Sequence, residues 1–169
     1  LNLAPTSSTT MALIIGDAIA ITLLKMRGFK KSNFSKFHPG GNLGKDLVML
    51  EEIMHDISEL PIVNFNDSMG KTLITMTIKG FGCVGVVNKS KKLVGIITDG
   101  DLRRNIKEDL INKKSSDVMT KNPQLVSEKT LVGEALNIMN SKKITSLFVC
   151  KKTKPIGIVH IHDLLKLSS

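Results

Sequence analysis

The 169 residues are 41% apolar and 23% charged, enough chain for one sizeable domain or two small ones that each bury a core. The formal charge of +9 raises the question of nucleic acid, but there is no Trp or Tyr to stack on bases. The lysines are scattered through turns, so neither a nucleic-acid nor a membrane partner is expected.

The chain begins at Leu1 without an initiator Met or a signal-peptide pattern, and so reads as a fragment. A hydroxyl-rich cluster, Pro5-Thr6-Ser7-Ser8-Thr9-Thr10, comes first and suits a helix N-cap, although the same groups also fit a phosphate. A helix is expected over 11–26, with Gly28 as its stop. It is apolar nearly all round, which implies burial in something larger. The apolar run 11–24 is broken by Gly16, Asp17 and Thr22 and reads as too short to span a bilayer. Next comes Phe37-His38-Pro39-Gly40-Gly41-Asn42-Leu43-Gly44-Lys45. Its glycine spacing is too short for a Walker loop, and Asp46 stands where Ser or Thr is required. His38, ahead of a rigid Pro-Gly-Gly turn, is a candidate for an imidazole held in an open cleft.

From about Glu52 the chain repeats itself. Met69, Leu73 and Met76 keep helical spacing, strands are expected at Cys83–Val87 and Leu93–Thr98, and a short helix near Asp101. In the second copy Leu131, Ala135, Ile138 and Met139 make the helix face. Strands follow at 147–150 and 155–160, then a helix from about His162. Asp101 and Asp163 lie 62 positions apart, Met54 and Met119 65 apart, so the copies differ by a short indel. Each unit is too small to stand alone, so an α/β (α+β) fold is expected with the two packed sheet to sheet and helices outside. Residues 105–116 read as the linker. Cys83 and Cys150, in or beside apolar runs without metal or redox spacing, read as buried free thiols in a reducing cytoplasm.

The chemistry centres on Gly95-Ile96-Ile97-Thr98-Asp99-Gly100-Asp101-Leu102-Arg103-Arg104, a buried strand delivering a hydroxyl and a carboxylate to a helix mouth. Helix-start amides favour anions; Thr98 can donate to a phosphate, and Arg103 and Arg104 can pair with it. Asp101 would repel phosphate, so its expected task is to accept from sugar hydroxyls. The second copy, Gly157-Ile158-Val159-His160-Ile161-His162-Asp163-Leu164, keeps the carboxylate and replaces the hydroxyl with His160. His160 and His162 lack further metal ligands nearby, so no metal site is expected.

Over residues 52–167 the chain resembles a tandem pair of cystathionine-β-synthase-type (CBS) domains, two βαββα units. The resemblance makes Thr98 the phosphate-binding hydroxyl and Asp101 the ribose-binding carboxylate, with Gly100, Arg103 and Arg104 beside them. It makes His160 and Asp163 an altered half-site. The segments leading into the repeats add Ile62, Val63, Asn66 and Asp117 as candidate walls. Ala4–Thr10, Gly16-Asp17-Ala18 and His38–Gly44 resemble the end of a sugar isomerase (SIS) domain of the D-arabinose-5-phosphate isomerase family. The implied layout is 1–48 the end of the SIS domain, 52–108 the first CBS domain and 115–167 the second.

That family interconverts ribulose 5-phosphate and arabinose 5-phosphate for the Kdo sugar of lipopolysaccharide. By resemblance His38 is catalytic in the full-length protein, and Ser7 and Ser8 belong to the sugar-phosphate site. The family's catalytic Lys and Glu lie upstream, so this chain alone is expected to be inactive. The expected ligand is a nucleotide or nucleotide sugar: CMP-Kdo, CMP, AMP or ATP. The expected assembly is a homodimer or homotetramer, with no cofactor.

Overall fold

The computed structural model describes residues 5–29, 48–106 and 109–168. His38 and the glycine turn after it lie outside the described residues.

Helix α1, Thr6–Met26, begins inside the hydroxyl cluster rather than after it. Pro5 takes the N-cap position with no side-chain cap bond. The Thr9 hydroxyl instead donates back to the carbonyls of Pro5 at 2.7 Å and Thr6 at 3.0 Å, and the Thr10 hydroxyl donates to that of Thr6 at 2.9 Å. Ser7 and Ser8 are therefore exposed first-turn residues. At 21 residues the helix outruns the 11–24 segment at both ends, which corrects the reading of that run as too short. Among the described residues it is the one helix long and apolar enough, by length and composition, to cross a membrane. A core helix of a larger protein meets the same criteria, and none of its residues is buried against the described part of the chain.

The first unit runs β1 (Ile62–Asn64), α2 (Met69–Lys79), β2 (Cys83–Val87), β3 (Leu93–Thr98), α3 (Asp99–Arg104). After it come the short α4 (Ser115–Val118) and β4 (Thr120–Lys121). The second unit runs β5 (Leu125–Val126), α5 (Val132–Lys142), β6 (Ser146–Lys151), β7 (Lys154–His160), α6 (Ile161–Ser168). Both hairpins fall where the apolar runs place them, because β2 is buried along its whole length and β3 alternates. Ser68 caps α2, and Gly80 ends it in the left-handed conformation that glycine adopts without strain.

Two sheets result, ordered β1-β2-β3-β4 and β5-β6-β7, with β1 and β5 parallel to their neighbours. They face one another across a shared core that joins Leu60, Cys83 and Leu93 to Phe148, Cys150 and Ile158. Gly85 is required there: a Cβ would stand 2.7 Å from Leu93 and 2.8 Å from Phe148. Both cysteines are free and buried, and burial pushes each thiol up to about 11.

Each unit also borrows a piece from outside its own repeat. Leu50, ahead of the first repeat, is fully buried in the second unit's core, and the amide of Leu50 donates to the carbonyl of Thr130. Val118, ahead of the second repeat, packs in the first unit's core, and β4 extends the first sheet beside β3. Residues 113–116, read from sequence as linker, are docked on the first unit. There the Ser115 amide donates to the Asp67 carbonyl, and the Ser115 and Thr72 hydroxyls meet at 2.7 Å. The exchange obeys the repeat: Met119 lies over Gly95 and Met54 over Gly157.

Candidate functional site

The change from strand to helix at Thr98 builds the site. Thr98 caps α3: its hydroxyl accepts from the Asp101 amide at 3.3 Å, while Asp101 Oδ2 accepts from the Thr98 amide at 2.9 Å. The same Oδ2 receives the Thr98 hydroxyl at 2.7 Å. Asp101 Oδ1 accepts from Arg104 Nη2 at 2.6 Å and from the Thr120 hydroxyl at 2.9 Å. The residue is only 5% exposed. Burial opposes its charge, but the hydrogen bonds from Thr98, Arg104 and Thr120 outweigh it and hold the carboxyl below the ordinary carboxylate range.

This cluster opens on a cleft of about 900 Å³ between the two units. Gly100, Arg103 and Arg104 line it from the first unit, Thr120 and Gln124 from the exchanged segment, and Lys142, Lys143 and His160 from the second. Phe81, Ile96 and Phe148 give it an apolar wall. Four cationic side chains thus converge from two units on a cleft whose carboxylates are Asp99 and Asp101. Lys143 occupies a left-handed backbone conformation with φ 53°, where the first unit has Gly80.

A second, smaller cleft of about 470 Å³ is the repeat's counterpart, lined by His55, Glu59, Phe81, His160 and Asp163 among others. Where Thr120 meets Asp101, His55 meets Asp163, Nε2 to Oδ2 at 3.1 Å, while His55 Nδ1 lies 2.9 Å from Glu59. Burial alone would lower the imidazole pKa; the hydrogen bonds and charges of Glu59 and Asp163 prevail and raise it. For His160, burial and the neighbouring His162 lower the pKa against the pull of Asp163. Among the described residues no group of three or more His, Cys, Asp or Glu side chains is placed to hold a metal.

The structure therefore brings together Thr98, Gly100, Asp101, Arg103, Arg104 and His160 around the larger cleft, with Asp163 in the smaller one. In the chain as described, the Thr98 hydroxyl is engaged by Asp101 rather than held out toward an anion. Ile62, Val63, Asn66 and Asp117 line neither cleft. Val63 is buried in the first unit's core, and Asp117 accepts from the amide of Lys114 at the start of α4. The residues that do line the clefts include Thr120 and His55, from the other repeat's lead-in, and Lys142 to Thr145 around the α5–β6 turn. Sequence reasoning missed these residues, although Thr120 and His55 lie 65 positions apart, the same step as Met54 and Met119.

Comparison with known proteins agrees with this architecture. A family model described as the CBS domain matches twice, over residues 50–108 and 116–169. The arabinose 5-phosphate isomerase KdsD of Yersinia pestis is 43% identical over 169 residues, covering 98% of this chain and 52% of that protein. The chain spans about half the length of the curated relatives it matches. The solved CBS domain of a membrane protein from Sphaerobacter thermophilus has a TM-score of 0.62 at 27% identity, over 75% of this chain and 91% of that one. The structure of CBSX2 in complex with AMP has a TM-score of 0.61 at 22% identity, over 70% of this chain and 93% of that one, a likeness of fold. Duplicated units, facing sheets and a doubled family match lead to one conclusion: the chain belongs to the CBS-domain family and carries two of its units as a pair.

Proposed function

We propose that this pair is the regulatory, ligand-sensing part of a D-arabinose-5-phosphate isomerase, taking an anionic nucleotide or nucleotide sugar into the larger cleft. The observation that carries the reading is the convergence of Arg103, Arg104, Lys142 and Lys143 from two units on a cleft floored by the Asp101 carboxylate. The cations suit phosphate or carboxylate, Asp101 suits sugar hydroxyls, and the wall of Phe81, Ile96 and Phe148 suits a base. A ligand touching both units biases their relative arrangement, and a ligand regulates by binding one arrangement better than another. The relatives' name supports the isomerase, and the AMP complex of a protein of the same fold supports nucleotides as a class.

In this reading residues 1–48 end the SIS domain, with Ser7, Ser8 and His38 serving its sugar-phosphate site in the full-length protein. Helix α1 is buried against that domain in a cytoplasmic homodimer or homotetramer, and residues 52–108 and 115–167 are the two CBS domains. Calorimetric titration with CMP-Kdo, CMP, AMP and ATP tests the sensing role. Binding of one of them at micromolar to submillimolar affinity is expected, and no heat with any at millimolar concentration sinks it.

A second reading, a ligand-free assembly module, draws on the internal satisfaction of Asp101 and on the exposed apolar side chains of Ile74 and Ile78 on α2. It predicts that Asp101→Ala leaves both oligomeric state and full-length activity untouched.

A further inference from the structure

The nucleotide reading above, on which the following rests, gives the pairing of Asp101 a further role. Asp101 is nearly sealed, yet its two oxygens serve different masters. Oδ2 is held by the amide and hydroxyl of Thr98, which belong to the α3 cap. Oδ1 is held by Arg104 and Thr120, side chains that line the cleft itself. Oδ1 is thus the acceptor a sugar hydroxyl would reach, and Arg104 and Thr120 already engage it.

The Arg104 side chain is 69% exposed although it makes this pair, so only its tip is fixed. Its guanidinium lies over Gly100, where a Cβ would stand 3.4 Å from Nη1. Released from Asp101, it remains on the same turn of α3 and in the same cleft.

We infer that Arg104 is a built-in placeholder: it occupies the carboxylate until a ligand's hydroxyls replace it, and then pairs with the ligand's own anionic group. Separating charges at a buried carboxylate is costly. A neutral sugar that displaces Arg104 gives Asp101 hydrogen bonds but strips the guanidinium of its counter-ion. A ligand with both hydroxyls and a phosphate exchanges one ion pair for another. Arg104 thereby makes the cleft demand both features at once, and discriminates nucleotide from nucleoside more sharply than a bare cation would.

The test compares AMP with adenosine and CMP with cytidine, by calorimetry on the whole chain and on its Arg104→Ala variant. Because Arg104 is exposed and ends its helix, the variant is expected to fold, as thermal unfolding checks. The wild-type chain is expected to prefer a nucleotide over its nucleoside by tenfold or more. In Arg104→Ala the nucleoside should bind severalfold tighter than to wild type, and the preference should fall at least fivefold. Nucleotide binding to wild type without any nucleoside gain in the variant overturns the placeholder and leaves the cleft reading standing. Failure of wild type to bind any of the four overturns the placeholder, and the cleft reading falls with it only if CMP-Kdo and ATP give no heat either. A ligand-free check is the carbon-13 titration of Asp101, whose pKa should rise in Arg104→Ala. An unmoved pKa also overturns the placeholder.

Discussion

At the level of single residues, the two copies of one carboxylate have diverged in what they respond to. Asp101 is partnered by hydroxyls and an arginine, whereas Asp163 is partnered by the imidazole of His55. The groups facing His55 are Glu59, Asp163, the His160 imidazole and the edge of Phe81. Its folded-state pKa is raised above the 6.5 ordinary for an imidazole. Its contribution to stability is therefore complete below that value and is lost as pH climbs through the raised one. His160 has a lowered pKa and acts in the opposite sense, its contribution falling away as pH drops. The difference between wild type and His55→Gln isolates the first effect. Melting curves from pH 5.5 to 8.5 should show wild type ahead of the variant at the acid end, with the gap narrowing as pH rises. Thr98 and Asp101 were legible in the sequence because a capping pair three residues apart straddles a strand–helix boundary. Thr120 and Lys143 were not, since neither lies in the motif and only the folded exchange and the α5–β6 turn bring them to it.

Among the elements, the hairpins β2–β3 and β6–β7 were legible to within two residues because burial writes an apolar run into each strand. The two-residue strands β4 and β5 carry no period to read, and the lead-in segments look like linker until their partners are known. The glycines beneath those segments give a test of the exchange. The atoms nearest a Cβ on Gly95 all belong to the side chain of Met119, which has rotatable bonds with which to yield. A Cβ on Gly157 meets Met54 and also, at 2.9 Å, the backbone carbonyl of His55, which is paired to the Ile158 amide. Overpacking of this sort costs about 1–3 kcal/mol. In urea denaturation both alanine variants should lose stability, with Gly157→Ala the worse. Equal losses would mean that the His55 backbone yields as easily as a thioether.

Across the whole molecule, the core between the sheets makes the two units one body. Phe148 is 1% exposed at its centre, reaching from β6 to the glycine gap in β2. Phe148→Ala should cost about 3–5 kcal/mol. It should also weaken ligand binding, because the same ring walls the larger cleft; calorimetry alongside denaturation reads both. The traded segments have a consequence for how such a protein is made. As the ribosome delivers the polypeptide from its N-terminal end, the first unit's sheet waits for Thr120 and Lys121, while Leu50 waits for a partner that emerges about 80 residues later. The first half completes its sheet only when the lead-in to the second has left the tunnel, and the second completes its core only around Leu50 of the first. Severing the chain between its repeats would yield two pieces each carrying the other's missing part, and the pair should regain their shape only when mixed.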